Sequence, residues 1–195
     1  MTATPPLPSG VPSALKTELR RDLLAGRGRR PASQRTAVAA ALAQVFSGAF
    51  GDCLSPGFVV AAYISLGGEP GTGPLLSVLA EARVIVPLLL PDRDLDWAVV
   101  DDPDTSLGLD AIAEASVVLV PALAVDRNGH RLGRGGGSYD RALTRVRKGQ
   151  PVLAVVHDEE VLETVPVEPH DVSVDGALTP SGVLWFGGFS PAGHG

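Results

Sequence analysis

Val120 to Leu143 reads VPALAVDRNGHRLGRGGGSYDRAL, and this stretch joins an apolar strand to a helix through a loop rich in glycine and arginine. Consecutive glycines take backbone angles that are closed to other residues, so several N–H groups can point into one concavity. The helix expected to follow, over residues 139–146, adds its free N–H groups and the positive end of its dipole. This order favours a phosphate-binding loop, with a flexible surface loop as the alternative.

The loop carries neither of the common nucleotide-binding fingerprints. It lacks G-x-x-x-x-G-K-[ST], and Ser138 stands where G-x-G-x-x-G requires its last glycine. A phosphate site here therefore belongs to a different family of loops.

Working outward, alternating apolar runs and helical patterns predict one α/β domain with an open, mostly parallel sheet and helices on both faces. The predicted strands cover residues 58–64, 84–90, 97–100, 117–120, 152–156 and 184–186. The predicted helices run from Ser13 onward with a stripe of Leu15, Leu19 and Leu23, from a Ser33 cap to Phe46, and over 74–83, 139–146 and 158–164. Ligands of such sheets bind beyond the carboxyl ends of the strands, where Glu69, the glycine loop and His170 are expected.

The composition fits one soluble domain of 195 residues, 45% of them hydrophobic and 19% charged. A net charge of -6 argues against a general nucleic-acid binder. Cys53 has no partner for an internal disulfide, and the sequence shows neither a signal-peptide pattern nor a membrane span, so a cytoplasmic location is expected. The proline-rich residues 1–12 predict a disordered tail before a single domain at 13–190. The sequence leaves the oligomeric state open and is compatible with a monomer.

The stretch from Val120 to Leu143 resembles the signature of the 5-formyltetrahydrofolate cyclo-ligase family, which runs roughly V-P-G-x-A-F-D and then G-x-R-L-G-x-G-x-G-Y-Y-D-R. Two shorter segments match in the same order, KTELR at residues 16–20 and SLGGEPGT at 65–72. A third, PHDVSVD at 169–175, resembles the family's closing H-D-x-x-x-D. The resemblance extends over residues from about 14 to 187 and implies a three-layer α/β fold of the type shared by sugar-phosphate isomerases and CoA transferases.

The resemblance also implies the binding residues. The ATP candidates are Lys16, Thr17, Glu18, Leu19, Arg20, Arg131, Leu132, Gly133, Arg134, Gly135, Gly136, Gly137, Ser138 and Tyr139. The folate candidates are Ile64, Glu69, Arg134, Gly135, Gly136, Gly137 and Ser138, and the two candidates for charge stabilisation are Arg131 and Arg134. Lys16 and Arg20 are four residues apart, so on a helix they can grip one anion; solvated surface charges are the alternative.

Magnesium needs only one or two carboxylates besides the nucleotide oxygens. By resemblance, Asp140 and Asp171 hold Mg²⁺, although an acidic residue at a helix start and an ordinary turn residue are the plain alternatives. The four histidines have neither the paired spacing nor the cysteine partners of a structural zinc site.

The activity implied by the resemblance is the closure of 5-formyltetrahydrofolate to 5,10-methenyltetrahydrofolate, with ATP converted to ADP and phosphate. The formyl oxygen attacks the γ-phosphate, N10 closes onto the activated carbon, and phosphate leaves. Such chemistry needs positioning and charge neutralisation but no protein nucleophile. The alternatives are a sugar-phosphate isomerase-like enzyme that uses no ATP and a non-catalytic relative that binds a nucleotide or folate.

The chain departs from the family pattern at Ser138, where a first tyrosine usually precedes the one at Tyr139. Serine is a preferred residue for capping a helix, so the sequence predicts that Ser138 caps the helix that carries Asp140. The competing interpretation is that a ring that stacks on a ligand has been lost.

Overall fold

The computed structural model describes residues 11–189. The sequence predicted a disordered tail over residues 1–12. Residues 1–10 lie outside the described range, whereas residues 11 and 12 belong to the first helix. The helices are α1 (Val11–Gly28), α2 (Ala32–Phe50), α3 (Gly73–Val78) and α4 (Ser138–Leu143). Short 3₁₀ turns cover Gly51–Cys53, Leu109–Glu114 and Asp158–Glu160.

The strands are β1 (Val59–Ala61), β2 (Arg83–Leu89), β3 (Leu95–Val99), β4 (Val117–Pro121), β5 (Ala124–Asp126), β6 (Arg131–Leu132), β7 (Val152–Val155), β8 (Val161–Leu162), β9 (Gly176–Thr179) and β10 (Gly182–Trp185). Seven of them form a sheet in the order β10-β9-β7-β4-β1-β2-β3. The five central strands are parallel, and the edge strands β3 and β10 are antiparallel to their neighbours. In register, Val60 lies opposite Val84 on one side and Val117 on the other.

Both faces of this sheet are covered, which explains the unbroken apolar runs of its central strands. Along β4, Val117 and Leu119 belong to a core that includes side chains of α2 and α3. Val118 and Val120 point into a second core, which includes side chains of α4 and of the Leu109–Glu114 turn. The predicted three-layer α/β architecture with a mostly parallel sheet is therefore confirmed.

Helix α2 packs on the sheet through an apolar face that includes Leu42, Phe46 and Phe50. The segment Ala32–Cys53 is long and apolar enough to cross a membrane by length and composition alone, a test that the core helix of a soluble protein also passes. The predicted Ser33 cap is wrong, because the helix already begins at Ala32 and its N-cap residue is Pro31.

A second, three-stranded sheet of order β6-β5-β8 follows β4 in the chain and supports α1. Leu19 and Leu23 of α1 pack against its small core of Leu123, Ala124, Leu132 and Val165. Leu15, the third member of the predicted stripe, is instead 47% exposed. The buried face of α1 is thus rotated toward charged residues, which brings Lys16 and Arg20 to the site described below.

Several predicted boundaries are corrected by the structure. The helix predicted over 158–164 is a 3₁₀ turn followed by β8, and the helix predicted over 74–83 ends at Val78. The strand predicted over 58–64 is regular only from Val59 to Ala61. Strands β5, β6, β8 and β9 were not among the predicted elements, since each has only two to four residues.

Candidate active site

A cavity of about 980 Å³ lies at the carboxyl ends of β1, β2 and β4. Its walls come from α1, the loop after β1, the glycine loop with α4, and the segment before β9. The residues that line it include Lys16, Arg20, Arg27, Leu66, Glu69, Leu89, Ala122, Arg131, Gly133, Arg134, Gly135, Gly136, Gly137, Ser138, Tyr139, Asp140, Glu168, His170 and Asp171. The position agrees with the rule that open α/β sheets bind ligands beyond the carboxyl ends of their strands.

Helix α1 brings two cations to the cavity. Lys16 is 3% exposed, and its Nζ lies 2.7 Å from Glu168 Oε2 and 2.5 Å from Asp171 Oδ2. Arg20 Nε donates a 2.9 Å hydrogen bond to the carbonyl oxygen of Gly133. The two side chains thus share one face of α1, as their spacing predicts.

The other members of the KTELR segment do not line the cavity. Thr17 and Glu18 are exposed; the Thr17 hydroxyl bonds back to the Ser13 carbonyl, and Glu18 lies 3.7 Å from Arg21. Leu19 packs into the small core beneath α1. A role for these three side chains in nucleotide binding gains no support from their positions.

The glycine loop forms one wall of the cavity with almost no side-chain volume. Gly135 and Gly137 have φ values of 96° and 69°, which strain any residue with a Cβ. The Arg20 guanidinium carbon lies 3.5 Å from the position of a Cβ on Gly135, so cation and backbone approach each other closely. The loop is exposed at Gly135 and Gly136, where a ligand can reach the backbone directly.

Arg131 enters the cavity from β6 and is 7% exposed. One of its terminal nitrogens donates a 2.8 Å hydrogen bond to Asp140 Oδ1, and its Nε has no hydrogen-bond partner among the described residues. The guanidinium carbon lies 6.0 Å from the centre of the Tyr139 ring. Arg131 therefore retains donor capacity for an anion in the cavity.

Tyr139 lies behind Arg131 with its hydroxyl buried and without a hydrogen-bond partner in the part of the chain described. Burial raises the pKa of this phenol well above its ordinary value, so the group is a neutral donor at physiological pH. A buried hydroxyl without a partner is costly, and a ligand atom that accepts a hydrogen bond from it would remove that cost.

The segment before β9 presents Glu168, His170 and Asp171, whose potential ligand atoms lie within 4.8 Å of one another. Burial alone would raise the pKa of Asp171, but hydrogen bonds from Lys16 and from the Glu168 N–H lower it below its ordinary value. Asp171 is therefore a carboxylate at neutral pH. The other predicted metal ligand, Asp140, uses Oδ1 to accept hydrogen bonds from Arg131 and the Val172 N–H.

The loop after β1 brings a further carboxylate to the cavity. Glu69 Oε1 lies 3.1 Å from Arg134 Nε, and Glu69 Oε2 accepts a hydrogen bond from the Leu66 N–H. Leu66 and Leu89, both 69% exposed, add apolar surface to the cavity. Ile64, a predicted folate contact, is 59% exposed and is not a lining residue.

The prediction that Ser138 caps α4 is wrong. The N-cap position is Gly137, in the left-handed region, and no side chain makes a capping hydrogen bond there. Ser138 is the first helical residue, so its hydroxyl adds no capping contribution to stability. It lines the cavity instead, and its predicted role in binding stays a prediction.

Sequence reasoning missed Arg27 and Glu160. Arg27 is 2% exposed; its Nε and one terminal nitrogen lie 2.8 and 2.7 Å from the two carboxylate oxygens of Glu160. The same terminal nitrogen donates to the Ala122 carbonyl at 2.6 Å, so α1 is bonded to the chain just beyond β4. The available signal was the spacing of Lys16, Arg20 and Arg27, which puts a charged stripe on the inner face of α1.

A cationic cavity walled by glycine backbone at the carboxyl edge of a parallel sheet is typical of α/β proteins that bind phosphorylated small molecules. Comparison with known proteins narrows this class. The model of the 5-formyltetrahydrofolate cyclo-ligase family matches residues 12–180. The chain therefore belongs to the 5-formyltetrahydrofolate cyclo-ligase family, as the sequence resemblance predicted.

Individual relatives agree with this assignment. The chain is 40% identical over 185 residues to a 5-formyltetrahydrofolate cyclo-ligase of Mycolicibacterium smegmatis, covering 85% of this chain and 93% of the relative. It is 33% identical to the Escherichia coli K12 enzyme of the same name, covering 64% of this chain and 79% of that enzyme.

Solved structures agree as well. A 5,10-methenyltetrahydrofolate synthetase of Aquifex aeolicus has a TM-score of 0.71 at 26% identity, covering 92% of this chain and 97% of that one. The synthetase of Mycoplasma pneumoniae has a TM-score of 0.72 at 18% identity, covering 84% of this chain and 97% of that one, which supports the fold.

Proposed function

We propose that this chain converts 5-formyltetrahydrofolate and ATP to 5,10-methenyltetrahydrofolate, ADP and phosphate. The observation that carries the proposal is the convergence of Lys16, Arg20, Arg131 and the glycine loop on one cavity of about 980 Å³. This volume lies at the upper end of the range for small-molecule sites. The test is turnover that depends on both substrates, followed by the near-ultraviolet absorbance of the methenyl product.

ATP fits the cationic half of the cavity. Its polyphosphate would lie against the N–H groups of Gly135 to Gly137, with Arg20 and Arg131 donating to the phosphate oxygens. The Nε of Arg131 has no hydrogen-bond partner within residues 11–189, which favours an anion at this place. Donors fixed around the transferring phosphoryl group stabilise the charge that spreads over its oxygens.

The formyl-bearing substrate fits the half of the cavity near Glu69. The Glu69 carboxylate accepts hydrogen bonds and so suits the N–H-rich pterin ring, while Leu66 and Leu89 offer apolar surface for the rest of the molecule. Arg134, paired with Glu69 at 3.1 Å, joins the two halves. The buried Tyr139 hydroxyl is a further donor for a substrate oxygen.

In the reaction, the formyl oxygen bonds to the γ-phosphorus as the bond to the ADP oxygen breaks. N10 then bonds to the formyl carbon and loses its proton, and the C–O bond breaks to release phosphate. The protein holds the formyl oxygen near the γ-phosphorus and keeps water away. Arg131 and Arg134 are the side chains proposed to offset charge during the transfer.

Magnesium is proposed to bind at Asp171, with Glu168 beside it and Asp140 nearby. The donor set fits this ion, because carboxylate oxygens lie within 4.8 Å of each other and the cavity leaves room for nucleotide oxygens. The ion would neutralise polyphosphate charge. Lys16 now contacts both Glu168 and Asp171, so it is expected to move toward the phosphates when MgATP binds.

The net charge of -6 supports a protein that binds neither nucleic acid nor an anionic membrane. We therefore propose a cytoplasmic enzyme whose partners are its two small-molecule substrates. The residues that line the cavity belong to one chain, so the proposed activity is compatible with a monomer.

Lys16→Ala and Arg20→Ala are each expected to weaken MgATP binding about tenfold while changing 5-formyltetrahydrofolate binding less than about twofold. The expected loss corresponds to one charge-assisted hydrogen bond. The measurement is a calorimetric titration of each ligand.

The matched control for these two variants is Arg21→Ala, because Arg21 is exposed, does not line the cavity and pairs only with Asp22 and Glu18 among the described residues. Its MgATP affinity should equal that of the unmodified chain. A larger loss for folate than for MgATP in Lys16→Ala or Arg20→Ala would show that α1 serves the other substrate.

A further inference from the structure

Asp126 is a fully buried carboxylate that does not line the cavity but accepts hydrogen bonds from three backbone N–H groups and contacts the His130 ring. Its Oδ1 accepts from the N–H groups of Asn128 and His130 at 2.9 and 3.1 Å. Its Oδ2 receives the Val165 N–H at 3.0 Å and lies 3.0 Å from the His130 ring nitrogen Nδ1. Oδ1 thus stabilises the turn at 126–130, and Oδ2 contacts both this turn and Val165, which is distant in the chain.

The turn at 126–130 holds the 165–174 loop at both of its ends. At one end, Val165 N–H bonds to Asp126; at the other, Val174 N–H bonds to the Gly129 carbonyl at 2.9 Å. Gly129 is required for this contact, because its φ is 83° and a Cβ there would lie 2.2 Å from the Val174 carbonyl oxygen.

The loop between these two ends carries the proposed magnesium ligands. Glu168 and Asp171 lie on the 165–174 loop and contact Lys16. A third bond, from the Val172 N–H to Asp140, joins the same loop to α4. The loop therefore meets α1, α4 and the 126–130 turn.

We infer that Asp126 is a positioning residue: through its bond to Val165 it sets the place of Glu168 and Asp171, and so the affinity for magnesium and nucleotide. This inference rests on the proposed function for the identity of the ligands. Asp126 itself touches neither substrate. Buried carboxylates that fix a loop in this way hold ligand groups in the geometry that binding requires.

Asp126→Asn distinguishes the roles of the two carboxylate oxygens, because one of them is replaced by an NH₂ group. The amide oxygen can still accept from Asn128 and His130, whereas the amide NH₂ then faces the Val165 N–H and cannot accept from it. The turn is kept and the bond to the loop is lost. Gly129→Ala disturbs the other end of the same loop and leaves the Asp126 side chain unchanged, so it decides the question if Asp126→Asn does not fold.

Two control variants match these changes. His130→Ala removes the ring contact to Asp126 but leaves the Val165 bond, and His130 does not line the cavity. Asp96→Asn makes the same substitution at a carboxylate that does not line the cavity and that accepts hydrogen bonds from the N–H groups of Trp97 and Gly108. Both should lose some stability and keep ligand affinity.

The experiment titrates each variant with MgADP, with ADP at increasing magnesium, and with 5-formyltetrahydrofolate. We expect Asp126→Asn and Gly129→Ala to bind MgADP about tenfold more weakly and to need more magnesium, with folate affinity changed less than about twofold. Equal losses for both ligands, unchanged MgADP affinity, or the same loss in Asp96→Asn would overturn the inference. Because the readout is binding, absence of turnover in the unmodified chain would refute the proposed function alone.

Discussion

Glu160→Ala is expected to lower the free energy of unfolding by about 3 to 5 kcal/mol, the usual cost of removing one partner from a buried ion pair. Arg27 and Glu160 are each 2% exposed in their side chains, and the guanidinium makes two bonds to the carboxylate. Without Glu160, the charge of Arg27 remains buried with the Ala122 carbonyl as its main acceptor. The measurement is urea denaturation followed by circular dichroism.

Two further variants sharpen this test. Arg27→Met combined with Glu160→Leu should recover part of the lost stability, since apolar residues of similar volume often replace a buried pair without cost, whereas the His157 N–H still lacks its acceptor on Glu160. Arg83→Ala breaks a pair with Glu114 whose side chains are 38% and 56% exposed, and it should cost less than about 1 kcal/mol. Similar small losses for Glu160→Ala and Arg83→Ala would show that the buried pair does not hold α1.

Gly136→Val is expected to weaken MgATP binding about 100-fold, because a branched side chain would stand between the loop N–H groups and the phosphates and remove two or more strong hydrogen bonds. The fold should remain intact. A Cβ at Gly136 meets only the Ser138 hydroxyl, at 3.5 Å, and the φ of Gly136 is not in the left-handed region. The measurement is a calorimetric titration with MgATP, alongside thermal unfolding.

Gly57→Val is the matched control, since Gly57 is exposed, has an ordinary φ and has no atom within 4 Å of its Cβ position. It does not line the cavity, so its MgATP affinity should be unchanged. Unaltered MgATP affinity in a folded Gly136→Val protein would contradict the assignment of the glycine loop to phosphate.

The layered fold was predictable because long apolar runs in alternation with helical patterns have few other solutions. The runs at 84–90, 117–120 and 152–156 correspond to β2, β4 and β7, within one or two residues at each end. The small sheet was not predictable from periodicity, since β6 and β8 have two residues each and are defined by their partners. The sequence also predicted a helix at Glu160, which lies in a 3₁₀ turn and pairs with Arg27, a residue far away in the chain.

The candidate site was predictable where backbone decides it and less so where side-chain orientation does. The glycine loop lines the cavity as its composition indicates. Within the KTELR segment, only Lys16 and Arg20 face the cavity, because the packing of Leu19 and Leu23 fixes the rotation of α1. Ser138 was expected at the N-cap, but the left-handed φ of Gly137 moves the helix start by one residue. Asp126 and Arg27 act through bonds to residues more than thirty positions away, and no local pattern reveals those partners.

The central claim is tested most directly by incubating the chain with 5-formyltetrahydrofolate and MgATP, while measuring the methenyl absorbance and the release of ADP in the same sample. The account predicts equal amounts of the two products, no product when ATP or magnesium is omitted, and strongly reduced turnover in Gly136→Val, whereas Gly57→Val remains active. Methenyl product formed at the same rate without ATP, or a folded chain that binds both substrates and releases neither product, would contradict it.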